Sequence, residues 1–215
     1  MGLRIPKHIG IIPDGNRRWA QAKGMTKEKG YMIGTEPGLA LFKLCQQAGI
    51  KELTYYGFTV DNTKRPSGQR KAFTEACIHA VELLAKEDAD LLVIGNSDSP
   101  MFPEELRPYT TRKAFGQGGI KVNFLVNYGW EWDLSFLKMA QDAKRNITDY
   151  IKSKDISRVE LIIRWGGRRR LSGFLPVQSI YADFYVIDDY WPDFKPDQFW
   201  QALAWYDHQD VTLGG

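Results

Sequence analysis

Short, largely apolar runs punctuate the chain at strand length. They are Ile9 to Ile12, Leu53 to Phe58, Leu91 to Gly95 and Val159 to Ile163, each running into turn-forming or polar residues. Ile120 to Asn127 alternates apolar and polar positions, as a strand does, and Ser179 to Val186 offers a last one before the Asp188-to-Pro192 turn. Between these runs the spacing becomes helical. Arg17 to Lys23 follows the first run, and Glu36 to Gly49 places Leu39, Phe42, Leu44 and Cys45 on one side, with Gly49 suited to the C-terminal cap. Arg70 to Asp88 carries Phe73, Cys77, Val81 and Leu84 on its apolar side. Leu134 to Ile151 predicts a long helix, and Phe199 to His208 a final one. Gly24 to Gly34 reads as a loop bearing Lys27 and Lys29, and Pro100 to Lys113 mixes loop and helix signals.

Strands alternating with helices predict an α/β fold: one domain over residues 1–215, with a central, mostly parallel sheet flanked by helices. In such sheets ligands bind beyond the C-terminal ends of the strands. Three polar loops fall there, after the first, second and fifth strands. They bring Asp14, Asn16, Arg18, Asn62, Arg65, Arg164, Arg170 and Ser172.

Composition narrows the function classes. The chain has 215 residues, 43% hydrophobic and 26% charged, with a net charge of +3. That charge is too small to argue for nucleic acid. Cys45 and Cys77 lack metal-ligand spacing and suit a reducing compartment, so a cytoplasmic setting is expected. No apolar run is long enough to span a bilayer, and no signal-peptide pattern is seen. No Gly-x-x-x-x-Gly-Lys-Ser/Thr or Gly-x-Gly-x-x-Gly stretch supports a P-loop or dinucleotide enzyme. The three histidines lie in unrelated contexts, and His79 sits in a helical stretch as a surface residue does.

The most informative stretch is Pro13-Asp14-Gly15-Asn16-Arg17-Arg18, a sharp turn between a strand and a helix start. Such a turn can hold an anion, and Arg17 and Arg18 add positive charge. A carboxylate in that place repels phosphate unless it holds a divalent cation that the ligand also touches. The residues alone leave a second reading open, in which Asp14 caps the helix and both arginines are solvated. Arg164 to Ser172 then sets four arginines and a serine around a Gly-Gly turn. Guanidinium forks match phosphate oxygens. The aromatics are not spaced as a base-stacking platform, so diphosphate is favoured over RNA.

These stretches resemble a known family. Asp14-Gly15-Asn16-x-Arg18-Trp19-Ala20, Phe58-Thr59-x-Asp61-Asn62-x-x-Arg65-Pro66, Asn127-Tyr128-Gly129 and Ile163-Arg164-x-Gly166-Gly167-x-x-Arg170-Leu171-Ser172 look like the signature regions of the cis-prenyltransferases. Gln178-x-x-Tyr181-Ala182-Asp183 and Trp191-Pro192-Asp193-Phe194 fit as well. The resemblance implies Mg2+-dependent transfer of an allylic prenyl group with loss of diphosphate, by a homodimer. It implies catalytic roles for Asp14, Asn16 and Asn62, and metal binding by Asp14 and Asp183. Gly15, Arg17, Arg18, Trp19, Lys27, Tyr31, Phe58, Thr59 and Arg65 would contact substrate, the donor diphosphate among it. Arg164, Arg170 and Ser172 would hold the second diphosphate, with Trp165 beside them. Asp183 stands where the family has a glutamate, and Lys27 where it usually has arginine.

The departures from the family pattern include Tyr31, Thr63, Trp130, Glu131, Trp165, Asp183 and a C-terminal Thr212-Leu213-Gly214 in place of Arg-x-Gly. They are expected to cluster on the acceptor side and in the wall of the pocket. Tyr55, Tyr56, Phe58, Phe73 and Trp165 are expected to crowd the pocket and keep products short. The expected reaction is irregular, head-to-middle coupling with dimethylallyl diphosphate to a branched, lavandulyl-type skeleton. Rings such as Trp165 would stabilise the branched cation by about 0.5–2 kcal/mol. Regular elongation with isopentenyl diphosphate and a catalytically silent partner subunit are the alternatives.

Overall fold

A computed structural model describes residues 2–139 and 146–210. Its centre is a seven-stranded sheet ordered β4-β3-β5-β2-β1-β6-β7. The strands are β1 (His8–Ile12), β2 (Glu52–Tyr56), β3 (Ala89–Ile94), β4 (Lys113–Phe115), β5 (Ile120–Leu125), β6 (Leu161–Arg164) and β7 (Asp183–Val186). All pairings are parallel except β3 with the three-residue edge strand β4, which the apolar pattern did not reveal. The α/β expectation therefore holds.

The helices are α1 (Asn16–Ala22), α2 (Lys27–Ile33), α3 (Thr35–Ala48), α4 (Ser67–Leu84), α5 (Trp130–Asp133) and α6 (Pro196–Asp207). Ile9 and Ile11 of β1 point into one core, where Leu41 and Phe42 of α3, Cys77 and Val81 of α4, and Phe199 and Leu203 of α6 are buried. Ile12 points to the opposite face and joins Leu125, Ile162, Phe174 and Leu175. Strict alternation along a strand buried on both faces explains this split.

Three expectations are corrected. The Gly24–Gly34 loop contains helix α2, because Lys27, Glu28 and Lys29 form helix readily and Gly30 is needed for packing. A Cβ at Gly30 would lie 2.2 Å from the Asn16 carbonyl oxygen. The long helix over Leu134–Ile151 is replaced, where described, by 3₁₀ turns at Ser135–Met139 and Ile147–Tyr150. Tertiary bonds override the helical spacing there. Buried Asp133 accepts from the Tyr128 hydroxyl (2.6 Å), the Ser153 amide (2.8 Å) and the Ser153 hydroxyl (2.7 Å). Residues 140–145 of that stretch lie outside the described residues. The last strand begins only at Asp183, since Ser179 to Ala182 closes a turn through a bond from the Ala182 amide to the Ser179 carbonyl.

The chain moves from β1 to β2 on one side and reaches β6 on the other. The crevice between β1 and β6 is thus the switch point of the sheet. Asp14 follows β1 and Arg164 ends β6, and they meet there.

Candidate active site

The turn after β1 is shaped by backbone bonds. The Asp14 amide donates to the Ile12 carbonyl at 2.9 Å, and the Asp14 carbonyl accepts from the Trp191 amide at 3.0 Å. Gly15 has φ of 108°, and a Cβ there would meet the Tyr190 ring at 2.7 Å, so only glycine fits. The Asp14 carboxylate accepts from Arg164 Nη2 at 2.8 Å and faces Arg18 Nη2 at 3.3 Å. Burial alone raises its pKa. The bond and charge of Arg164 and the charge of Arg18 outweigh that, so Asp14 is held below the usual carboxylate range. Asn16 donates its amide to the Pro13 carbonyl at 2.9 Å, but its Oδ1 is buried without a partner.

Beside this turn opens a polar cavity of about 260 Å³. Arg17, Arg18, Arg65, Arg168 and Arg170 line it, against the single carboxylate of Asp14. Arg18 lies 5.0 Å over the Tyr190 ring, Arg17 donates to Gln69 Oε1 at 3.3 Å, and Arg65 donates to the Tyr31 hydroxyl at 2.8 Å. Five guanidinium groups around one open space are built for a multiply charged anion.

Pro13, Asn16, Tyr31 and Phe73 also line a second cavity, narrow at about 60 Å³ and almost wholly apolar. It passes between α3, α4 and β2, along Gly34, Gly38, Tyr55, Ala76 and Ala80, toward Leu83 and Phe124. A third cavity of about 410 Å³ lies beyond the ends of β2 and β5, lined by Tyr56, Thr59, Tyr128, Trp130, Trp132 and Ser172 among others. The first two together fit an amphipathic ligand with an anionic head and a slender apolar tail.

The comparisons with known proteins agree with that shape. The family profile described as undecaprenyl diphosphate synthase matches residues 12–214. The chain belongs to the cis-prenyltransferase family. A ditrans,polycis-undecaprenyl-diphosphate synthase ((2E,6E)-farnesyl-diphosphate specific) of Photorhabdus laumondii is 32% identical over 98% of this chain and 90% of its own. An isoprenyl transferase of Heliobacterium mobile is 30% identical over 99% and 88%. The solved structure of lavandulyl diphosphate synthase from Lavandula x intermedia, in complex with dimethylallyl diphosphate, shares the fold. Its TM-score is 0.82 at 23% identity, over 98% of this chain and 99% of that one. The chain is accordingly a prenyltransferase.

For a cis-prenyltransferase, the structure sorts the residues expected at the site. Asp14, Gly15, Asn16, Arg17, Arg18, Tyr31, Arg65 and Arg170 meet at the polar cavity. Arg164 does not line it. Its side chain is 5% exposed, donates to Ser172 Oγ at 3.0 Å and to the Arg170 carbonyl, and serves Asp14. Ser172 and Thr59 face the third cavity. Asn62 lines none of the three; its Oδ1 accepts from the Thr59 amide at 3.0 Å and shapes the turn Val60–Lys64. Lys27 and Trp19 lie outside as well, Trp19 donating to Asp193 Oδ1 at 2.7 Å. Phe58 is fully buried behind Phe73.

Two residues lie apart from the polar cavity. Trp165 is fully buried, donates to Gln198 Oε1 at 3.0 Å and packs edge-on against Trp191, so it belongs to the core and not to the pocket wall. Asp183 pairs with Leu161 at the start of β7, whereas Arg164 pairs with Val186 at its end. Three residues of strand put it ~10 Å toward the opposite end of the sheet. There Arg4 is the charge beside it, and burial raises its pKa. Asp183 therefore sits toward the opposite end of the sheet from Asp14 and does not line the polar cavity. Nor do the departures gather at one place: Tyr31 sits between two cavities, Trp130 and Glu131 line the third, and Thr212-Leu213-Gly214 lies outside the described residues. Arg168 also lines the cavity, and the run Arg168-Arg169-Arg170 is its signal in the sequence.

Proposed function

We propose that this prenyltransferase ionises a short allylic diphosphate and couples it to a second C5 diphosphate, dimethylallyl diphosphate, by head-to-middle condensation. The observation that carries the reading is the polar, arginine-lined cavity opening into a narrow apolar one through shared residues. The donor's diphosphate is held by Arg17, Arg18 and Arg65, and the acceptor's by Arg168 and Arg170. The donor C1–O bond breaks and the electron pair leaves with diphosphate. The C2=C3 double bond of the acceptor attacks, forming a bond from donor C1 to acceptor C2 and leaving a tertiary cation at C3. A proton lost from an adjacent methyl to the departing diphosphate gives a branched alkene. Guanidinium groups fixed in advance stabilise the leaving group without reorganisation.

Mg2+ belongs to the same reading. Among the described residues no three His, Cys, Asp or Glu side chains gather into a metal cage. Asp14, ionised and open to the polar cavity, suits a hard ion that takes its remaining ligands from substrate phosphates and water, as Mg2+ does. When bound, the ion would neutralise charge on the leaving diphosphate. The reading also includes a homodimer in the cytoplasm. Among the described residues no helix is long and apolar enough to cross a membrane, and Ile180 and Tyr181 are 70% and 59% exposed, a patch that a second copy would cover.

Regular elongation with isopentenyl diphosphate is the second reading, favoured by the names of the relatives. Against it as a long-chain synthase stands the width of the apolar cavity. Its volume is about 60 Å³. The crowding comes from Tyr55, Phe73 and Phe124; Tyr56 faces the third cavity and Trp165 the core. The test supplies dimethylallyl diphosphate, with or without geranyl diphosphate and without isopentenyl diphosphate. The dephosphorylated alcohol is then identified by mass spectrometry and NMR. A branched C10 or C15 alcohol is expected. A linear prenol formed only after isopentenyl diphosphate is added overturns the head-to-middle assignment.

A further inference from the structure

Arg18 faces the polar cavity with its side chain 35% exposed, and an arginine so placed has many rotamers open to it. Its pairing with Asp14 does not settle which one. That ion pair is 3.3 Å long, and the same carboxylate is already engaged by Arg164 at 2.8 Å. What remains is the surface on which the guanidinium rests. Its central carbon lies 5.0 Å from the centre of the Tyr190 ring. Its Nη2 packs so near Gly166 that a Cβ there would come within 2.6 Å. A guanidinium lying by its face on a ring keeps its N–H edge free for phosphate oxygens.

The chain around Tyr190 is built to hold that ring still. After β7 ends at Val186, it passes through Asp189, Tyr190 and Trp191. The Asp189 carbonyl accepts from the Gly166 amide at 2.8 Å, in the arginine-rich loop after β6. The Trp191 amide donates to the Asp14 carbonyl at 3.0 Å, in the turn after β1. Tyr190 is thus the middle of a strap bonded to both arginine-bearing loops. The strap is tied down in turn. Gln198 of α6 donates to Asp189 Oδ2 at 2.7 Å, and the Tyr190 carbonyl accepts from the Asp193 amide at 2.9 Å. Tyr190 does not itself line the polar cavity, so what it does there passes through Arg18.

We infer that Tyr190 is a positioning residue whose ring fixes Arg18 in the orientation that receives the donor diphosphate. The inference rests on the reading of the polar cavity as a diphosphate site. With the guanidinium aligned in advance, little side-chain freedom is lost when the anion arrives. The negative face of the ring favours the positive charge as well. The phenol hydroxyl has no part in this, so phenylalanine serves as well and an aliphatic residue does not.

Binding tests the inference apart from the reading beneath it. Calorimetry on the full chain measures inorganic diphosphate and geranyl thiolodiphosphate, a donor analogue that does not ionise. Tyr190→Phe is expected to bind both within twofold of the wild type. Tyr190→Leu and Tyr190→Met should bind both about three- to tenfold more weakly, with melting temperature as the check on folding. In an Arg18→Ala background the leucine change should cost less than twofold, because the group it supports is gone. Three results would each overturn the positioning role and leave the diphosphate reading standing: a loss in Tyr190→Phe equal to that in Tyr190→Leu, unchanged affinity in both aliphatic variants, or an undiminished effect of Tyr190→Leu on top of Arg18→Ala. Failure of the wild type to bind either ligand overturns both.

Discussion

The two ends of β1 carry buried polar side chains of opposite character. At the start, His8 Nε2 shares a hydrogen bond with Thr54 Oγ1 at 2.7 Å. Asn123 donates to Thr54 Oγ1 at 2.9 Å and to Glu52 Oε1 at 2.7 Å, and Arg112 donates to Asn123 Oδ1 at 2.6 Å. This network is closed upon itself. Just past the other end, Asn16 Oδ1 and Arg164 Nε are buried without partners, next to an open, arginine-lined space. Buried polar groups are normally satisfied; Gln178 Oε1, beside Ser153, is another exception, but the two past β1 adjoin an open, arginine-lined space. The closed network stabilises the fold; the open one is organised around a guest.

The largest expected effect breaks the open end alone. Asp14→Asn keeps an oxygen for Arg164 but removes the charge, and should lower turnover on the order of 10³-fold with little change in melting temperature. Near-normal turnover would remove Asp14 from the chemistry. Next come the arginines. Arg18→Ala should chiefly raise the Michaelis constant for the allylic donor and Arg170→Ala that for the acceptor, each by about 1.5–3 kcal/mol of lost charge-assisted bonding. Equal effects of both variants on both substrates would dissolve the division into two anion subsites.

The closed end should answer in stability and not in rate. Asn123→Ala leaves Glu52, Thr54 and Arg112 short of a partner, at a cost of about 1–3 kcal/mol in chemical denaturation. Turnover per folded molecule should be unchanged, and a kinetic defect in fully folded protein would contradict the contrast. The smallest effect is a slope with pH. Burial pushes the pKa of His8 below its ordinary 6.5, against the opposing charge of Glu52. The folded state thus holds His8 neutral, and the unfolded chain takes up the proton first. Stability from this site is full above pH 6.5 and is lost as pH falls toward the lowered folded value. Denaturation midpoints should decline over that range, and His8→Gln should flatten the decline.

The sequence made the open end legible because turn chemistry is local. An apolar run broken by Pro13-Asp14-Gly15-Asn16 has few other solutions, and the arginines after β6 announce an anion by number alone. What it hid was geometry set at a distance. The helical propensity of Lys27–Lys29 was masked by Gly30 and Gly34, whose purpose is a contact with Asn16 that only the folded chain displays. A motif also says nothing about which end of a strand its residue occupies, so the place of Asp183 at the start of β7 was not legible from it. The orientation of Trp165 was legible. Successive residues of an extended chain point to opposite faces, so a tryptophan directly after Arg164, which turns toward Asp14, should point away from it. The closed network left no trace, since His8, Glu52, Thr54 and Asn123 are ordinary residues in four separate positions of three strands.

The bond from the Trp191 amide to the Asp14 carbonyl has an evolutionary consequence. The loop is anchored through its main chain, and its bend is supplied by Gly15, so its shape is inherited separately from the carboxylate it displays. On the proposed role of Asp14, a descendant carrying an amide at position 14 would keep the same architecture while giving up catalysis. Such a copy is not debris. It is raw material for a duplicated gene whose product persists only as scaffold for an active sibling.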